Sequence, residues 1–556
     1  MMKGDRLMLI RLKKWCKRSC LSAVASLLLV QAFLVSAPSA HANPVNHTVS
    51  IDPDSIVQED FLGVGVNLIP ASFMEGTSQY GYNEAHWEMD RKRILTMQPK
   101  VARVWFQPDW MEPAKGTYTW NSQKMQYFYQ YLDVLQEAGT EVELNFGWKV
   151  GEDIQSWFSI PGVDPRISAP ADLDAFADSA SALLDELLTQ RGYTNIKYLT
   201  FYNEPNGNWD FEAVGDQQAY YATMAQKVSD QLTADGLRDS VEIWGPEESG
   251  SPAWTQYMHD HADDVFDAYT FHLYGQTYEG LSASIADRTD VTGNKPVVLT
   301  EFGFGEDKSG WDAGLTGSVI KAANEGLHGA LIWQMNGVWL PDPYVGSDTN
   351  GNYTLWDSLV LGTEPYKRYY ESSLLTRYIP EHSTVVEVST GSADVRAAAF
   401  KTSGGDYTVV LETNEGSDRN ITLDFNGVNI GKTFYKHVYR DDVALEGNAI
   451  IPESSGSFSA GTSFTDSNIH SERHVIVYTT LTPQTQVAIT PLEANVTGGQ
   501  QLQLNANVID QSGGVTWSVI GSGNGTITSG GLYTAPLVTS ETLIAVKATS
   551  VLDPGG

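Results

Sequence analysis

Cysteine is almost missing from this chain: the only two, Cys16 and Cys20, fall within the first twenty residues of 556. Everything after them lacks the thiols for a disulfide framework or a thiolate metal site, so its stability has to come from buried apolar surface. At 42% hydrophobic residues the chain is long enough to build two or three separate cores. Positive charge is scarce as well, with 35 Lys and Arg against 68 Asp and Glu and a formal charge of −33. Such a surface repels phosphate backbones, which argues against nucleic acid as a partner, while a neutral ligand is indifferent to it. The acidity also serves solubility. No glycine loop of phosphate-cradling spacing and no His-Glu-x-x-His pair occurs, so nucleotide and zinc-protease chemistry have no footing.

The one long apolar run lies at the start. A basic stretch (Lys3, Arg6, Arg11, Lys13, Lys14, Lys17, Arg18) leads into Leu21 to Val35, and Ala40-His41-Ala42 follows with the small residues of a cleavage site. This pattern predicts a secretory signal over residues 1–42, cleaved after Ala42, and hence a secreted, extracellular protein. A membrane anchor is the alternative, but the run is short for a span.

From about His47 to residue 363, short β-branched or aromatic runs alternate with longer amphipathic ones, the signature of βα units around a parallel sheet. The predicted strands are Phe61 to Asn67, Val101 to Phe106, Glu141 to Phe146, Ile196 to Asn203, Val241 to Gly245, Ala268 to Tyr274, Pro296 to Glu301 and Ala330 to Gln334. Helical spacing recurs between them, as in Asn83 to Met97, Ser122 to Ala138, Ala169 to Gln190 and Gln217 to Asp235. Eight strands with intervening helices predict an α/β fold of the (β/α)8 barrel type. Over residues 364–481 one helix-like segment, Glu364 to Tyr378, precedes alternating stretches punctuated by turn residues, which predict an antiparallel β-sandwich. The early segment Thr48 to Ile51 is a candidate to pair with it.

Residues 486–556 form a last all-β segment. Its Val515-Thr516-Trp517-Ser518-Val519 and Gly525 to Pro536 stretches resemble bacterial immunoglobulin-like modules of the second group, which are wall-associated or spacer domains. The resemblance implies cell-wall association. The chain stops at Asp553-Pro554-Gly555-Gly556, where such a module turns into its closing strand, so a truncated module is expected.

Two motifs carry chemistry. Thr200-Phe201-Tyr202-Asn203-Glu204-Pro205-Asn206 and Val297-Val298-Leu299-Thr300-Glu301-Phe302-Gly303 each put a glutamate at the C-terminal end of a strand-like run, where barrel active sites assemble. Two facing carboxylates are the minimal machinery for breaking a glycosidic bond. A general acid needs its pKa raised toward the working pH, and a neighbouring carboxylate with partial burial is expected to do this for Glu204. Asn203 can donate to a sugar 2-hydroxyl, and Pro205 fixes the backbone after the acid.

Asn-Glu-Pro ending a fourth strand, with a glutamate ending a seventh, resembles glycoside hydrolase clan A, and the resemblance covers the whole barrel. It implies Glu204 as acid/base, Glu301 as nucleophile, retention of anomeric configuration, and carboxyl groups about 5–5.5 Å apart. It also implies that Arg103 orients the nucleophile, that His272 and Tyr274 end the sixth strand with the tyrosine reaching Glu301, and that Trp333 forms an apolar floor under the sugar. The segment Ser373 to Pro380 is similar to family 39 and its xylosidase-like relatives.

Asn145 and Trp148 are further candidate sugar contacts, as are Glu247 and Glu248, and Trp105, Trp110, Tyr202 and Trp209 either line subsites or pack loops. The loop Asp348 to Asn352 is faintly like a calcium loop but lacks the downstream glutamate, so a polar turn is expected. No metal or organic cofactor is called for. The sequence therefore predicts a hydrolase acting on a β-linked polysaccharide or oligosaccharide. Two alternatives stay open: a non-hydrolytic carbohydrate-binding or wall-adhesion protein, and a transglycosylase using the same residues.

Overall fold

The computed structural model describes residues 43–551 apart from 71–81, 148–157, 208, 305–310, 312–313, 338–352, 359–364, 441–451, 453, 484–485, 492–493, 510–512, 541 and 543. The predicted leader, the calcium-like loop at 348–352 and the terminal residues 553–556 lie outside the described residues.

The chain opens with a long strand, β1 (Val45–Phe61), and then enters eight βα units: β2 (Val64–Leu68), α1 (Glu84–Met97), β3 (Val101–Phe106), α2 (Gln123–Glu137), β4 (Glu141–Phe146), α3 (Leu173–Leu184), β5 (Ile196–Phe201), α4 (Gln217–Ala234), β6 (Glu242–Ser249), α5 (Pro252–Ala262), β7 (Ala268–Leu273), α6 (Tyr278–Thr289), β8 (Val297–Phe302), α7 (Leu315–Asn324) and β9 (Gly329–Ile332). Two short strands, β10 (Asn336–Gly337) and β11 (Trp356–Asp357), precede α8 (Lys367–Tyr378). Strands β2 to β9 pair in sequence order and close into a parallel barrel. Each is covered by helices outside and packed side chains inside, which is why runs such as Val-Ala-Arg-Val-Trp-Phe in β3 are buried at every position. Five of the helices begin on a side chain that accepts a backbone N–H of the first turn: Asn83, Ser122, Asp172, Asp216 and Thr277.

The eighth barrel helix is α8, so the segment read from the sequence as the start of the sandwich domain belongs to the barrel. Its Tyr369, Leu374, Leu375 and Tyr378 join the barrel's own core, which draws the helix onto the barrel wall. The opposite exchange occurs at the N-terminus. The candidate pairing of Thr48 to Ile51 is met there, and the whole of β1 lies in the sandwich sheet between β12 (Ser383–Ser389) and β15 (Arg419–Asp424). The remaining strands of that nine-stranded sheet are β13 (Val395–Lys401), β14 (Tyr407–Thr413), β16 (Thr433–Arg440), β17 (Ser454–Ser459), β18 (Ser463–Ile469) and β19 (His474–Thr479). All its pairings are antiparallel except β1 with β15, which is parallel.

Strands β13, β14 and β19 are buried along nearly their whole length because alternate side chains serve two cores. Ala397, Ala399, Val409, Leu411, Ile476 and Tyr478 face the sandwich interior, while Ala398, Phe400, Val410, Val475 and Val477 pack with the barrel. A buried ionic cluster ties the same seam: Arg473 Nη2 donates to Glu371 of α8 at 2.8 Å and to Glu412 of β14 at 2.7 Å, and Thr316 of α7 donates its hydroxyl to Glu371 at 2.7 Å. Replacing Arg473 with Met takes the cation from Glu371 and leaves Glu412 with Arg396 at 3.2 Å, so denaturant titration is expected to show a loss of about 3–5 kcal/mol. A change within about 0.5 kcal/mol would mean that the seam does not depend on this ion pair.

Residues 486–550 form three small sheets of two, three and two strands around Leu504, Tyr533 and Ala535, with Trp517, Val519 and Val546 packed against them.

Candidate active site

Parallel register assembles the site. Asn67 of β2 stands beside Arg103 of β3, and Arg103 beside Glu143 of β4, so three polar side chains share one level of the barrel interior. Across the barrel, His272 of β7 stands beside Glu301 of β8. Glu204 sits just past the end of β5, in a turn where Gly207 N–H donates to the Glu204 carbonyl at 2.8 Å and Asn206 bonds Ser249 in both directions at 2.8 Å. Three of the six non-glycine residues with positive φ among the described residues are here: Tyr202 (φ 58), Glu204 (φ 46) and Glu247 (φ 59). Left-handed backbone at such residues costs on the order of 1–3 kcal/mol each, and the surrounding packing has to hold it.

Glu204, His272 and Glu301 converge. One ligand atom from each lies within 4.8 Å of the others, so the two carboxylates face one another across a gap of a few ångströms. Their side chains keep 11% and 6% of their surface open, enough to place both at a solvent-reaching gap rather than inside a sealed core. Glu301 is gripped on both oxygens: Tyr274 O–H donates to Oε1 at 2.6 Å and Arg103 Nη1 to Oε2 at 3.0 Å. Arg103 also donates to Asn67 Oδ1 at 3.0 Å and to Asn203 Oδ1 at 3.1 Å, and it forms ion pairs with Glu247 at 2.8 Å and Glu143 at 3.2 Å. Because Asn203 spends its oxygen on Arg103, its amide N–H groups are what it can offer a sugar hydroxyl.

Four carboxylates here meet two cations, and the environment sorts their protons. Burial opposes the Arg103 charge, but Glu247, Glu143, Glu301 and Glu204 outweigh it. Burial and the Glu247 charge push Glu143 well above the usual carboxylate range, whereas Arg103 and His272 keep Glu247 low against the same burial. Glu204 departs from its sequence-based expectation. Burial raises its pKa, yet the His272 hydrogen bond and charge prevail and hold it below the usual range. The upward shift falls on Glu301 instead, through burial and the nearby Glu204 charge, partly offset by His272 and Arg103.

Trp333 is half-buried after β9 and packs on Trp105 with ring centroids 5.3 Å apart, and Trp105 in turn covers the Arg103 guanidinium at 4.7 Å. The Gly of Thr-Glu-Phe-Gly makes room for this indole's backbone: a Cβ on Gly303 would lie 2.5 Å from the Trp333 carbonyl oxygen and 3.1 Å from the Tyr353 ring. Gly303→Ala is therefore expected to displace Trp333 and lower kcat/KM by about 10²-fold, the scale of an ångström-sized misplacement. Circular dichroism should stay native, and unchanged kinetics would remove Trp333 from the sugar site.

The other candidates divide. Asn145 is fully buried, and its amide is committed to Thr200 Oγ1 at 3.1 Å and the Tyr202 carbonyl at 2.5 Å, so it braces the strand end rather than facing a sugar. Trp148 lies outside the described residues. Glu247 and Glu248 are both fully buried; Glu248 is held by Arg288 Nε at 2.5 Å and the Ser251 N–H at 2.6 Å, and neither reaches solvent. Trp110 packs against Phe106 and Phe128, and Tyr202 against Phe176 and Phe211, so both pack loops. Trp209 is half exposed. Glu143 and Asn67 were not anticipated. The available signal was polar residues at alternate, inward positions of apolar strands, Glu143 with Asn145 in β4 and Asn67 near the end of β2.

Two facing carboxylates at the C-terminal mouth of an eightfold barrel, one clamped by Arg and Tyr, are the equipment of a glycosidase. Residues 175–325 match the sequence profile of the glycosyl hydrolase catalytic core, a stretch that spans β5 to α7 and includes both Glu204 and Glu301. No curated protein matches the chain by sequence. Among solved structures, the catalytic domain of a family 30 xylanase C from Talaromyces cellulolyticus is similar with a TM-score of 0.58 at 15% identity, covering 78% of this chain and 100% of that one. An endo-β1,6-glucanase is similar with a TM-score of 0.54 at 14% identity over 78% of this chain and 93% of that one. A family 39 enzyme from Xanthomonas axonopodis pv. citri gives 0.52 at 14% identity over 80% of this chain and 99% of that one. At these identities the likeness is one of fold. The profile match marks residues 175–325 as similar to a glycosyl hydrolase catalytic core, and the solved structures share the fold.

Proposed function

We propose that this protein is a secreted, retaining glycoside hydrolase that cleaves a β-linked polysaccharide or its oligosaccharides by double displacement. The observation that carries this is the approach of the Glu204 and Glu301 oxygens to within 4.8 Å, a spacing for direct attack by one carboxylate rather than for a water held between two. Glu301, oriented by Tyr274 and Arg103, attacks the anomeric carbon as the bond to the leaving oxygen breaks and Glu204 passes that oxygen a proton. In the second step Glu204 takes a proton from water, and the water oxygen displaces Glu301. Asn203 donates to the 2-hydroxyl, and Trp333 supports the apolar face of the ring. The basic, apolar and small-residue pattern of residues 1–42 supports export, and the likeness of residues 486–556 to immunoglobulin-like modules supports retention at a cell wall.

Incubation with oligosaccharides of xylan, β-glucan, mannan and galactan tests the reading. Shorter products support hydrolysis, longer products a transglycosylase, and no change a binding protein. The profile of kcat/KM against pH should be bell-shaped. Activity falls on the acid side as Glu301 is protonated, at a pH above the usual carboxylate range, and on the basic side as the His272–Glu204 pair loses its proton. An acid limb at or below the ordinary carboxylate pKa would contradict the role given to Glu301.

A further inference from the structure

His272 stands between two carboxylates. Its Nδ1 lies 2.9 Å from Glu204 Oε1 and its Nε2 lies 2.9 Å from Glu247 Oε2. A neutral imidazole has one N–H and can donate to only one of them, whereas an imidazolium donates to both. Glu247 is fully buried, ion-paired to Arg103 at 2.8 Å, and accepts from Thr300 Oγ1 at 3.2 Å. It never touches the reacting atoms in the double displacement above. We propose that Glu247 is a positioning residue that keeps His272 in its doubly protonated form and thereby sets how firmly Glu204 holds the proton it delivers. This deepens, and rests on, the assignment of Glu204 as the acid/base.

The groups facing His272 come from every neighbouring strand. Glu204 follows β5, Glu247 lies on β6, and Glu301 on β8 comes within 3.5 Å of Nδ1. Arg103 of β3 is the cation that opposes the imidazolium, and Glu143 of β4 faces Arg103 from the far side. Burial and Arg103 work against the His272 charge, but Glu301, Glu204 and Glu247 overcome them and raise its pKa to about 10. In that charge state Glu204 rests as a carboxylate bonded to Nδ1–H. The acidic proton is then shared by the pair, and the pair's titration, rather than that of an isolated carboxyl, governs the basic limb of activity.

Glu247→Gln keeps the shape and removes the charge. A glutamine amide can donate to Nε2, which lets His272 go neutral and Glu204 recover a higher proton affinity. In ¹⁵N-histidine-labelled full-length protein, with the His272 signal assigned by its loss in His272→Asn, the wild type should show an imidazolium at pH 8. Glu247→Gln should lower the His272 midpoint by about one to three pH units, the effect of removing one adjacent opposite charge. On a natural oligosaccharide the basic limb of kcat/KM should move down by the same amount. On an aryl glycoside whose leaving group needs no protonation, kcat/KM should lack this limb in wild type and variant alike, and Glu247→Asp should restore the wild-type limb on the natural substrate.

A neutral His272 at pH 7 in the wild type overturns the proposal without any variant. So does a Glu247→Gln enzyme that loses activity equally at every pH with the limb fixed, which would make Glu247 only a support for Arg103. A shifted His272 midpoint with an unmoved limb, together with absence of azide rescue in Glu204→Ala, overturns the acid/base reading of Glu204 instead.

Discussion

Glu301→Gln should abolish turnover, by on the order of 10⁵-fold or more in kcat, while leaving the fold and substrate binding in place. The amide has nearly the shape of the carboxylate: its oxygen can accept from Arg103, and its NH2 can donate to the Tyr274 hydroxyl, the two groups that donate to Glu301 at 3.0 and 2.6 Å. It cannot form the covalent bond to the sugar, so the change removes a reaction route rather than a fraction of a hydrogen bond, and losses of a nucleophile run on this scale. Initial rates on natural substrate, with binding followed separately by calorimetry, check both halves. Retained activity would take Glu301 out of the nucleophile role.

The second large effect should depend on the substrate. Glu204→Ala should lose on the order of 10³-fold on natural glycans, whose leaving alcohols need a proton, yet form the glycosyl-enzyme at near wild-type rate from activated aryl glycosides. Hydrolysis of that intermediate also needs Glu204 as base, so the intermediate should accumulate. Azide, which needs no base, should restore turnover and yield a glycosyl azide of the same anomeric configuration as the substrate. The variant also empties one side of His272, whose other nitrogen still faces Glu247 at 2.9 Å, so the imidazole should keep its place. Equal loss on both substrate classes with no azide adduct would contradict the assignment.

The barrel was readable because its strands are buried on both sides and its helices on one. Val101 to Phe106 and Glu141 to Phe146 carry their bounds openly, and the pairing of Glu204 with Glu301 follows from their strand-end positions. The domain seam was hidden. Sequence texture changes near residue 363, but α8 packs its Tyr369 and Leu374 into the barrel core, and of β1 only Thr48 to Ile51 was legible as a sandwich strand, because contact surfaces far apart in the chain decide ownership.

The charge network was hidden for a related reason. Glu143 is one acidic residue in an apolar run, and only the register that sets it beside Arg103 gives it a partner. The sign of the shift at Glu204 was misjudged because it depends on an imidazole 68 residues away in the chain. Asn145 is polar, at a strand end and near the acid, yet its bonds to Thr200 and Tyr202 turn it inward, which no local pattern records.

Trapping the covalent intermediate tests the central claim most directly. A panel of activated 2-deoxy-2-fluoro-β-glycosides slows the second step more than the first, so intact-mass spectrometry of the wild type should show one added glycosyl unit, and peptide mapping should place it on Glu301. A label on any other residue, or turnover of natural substrate with inversion at the anomeric carbon, would contradict the account.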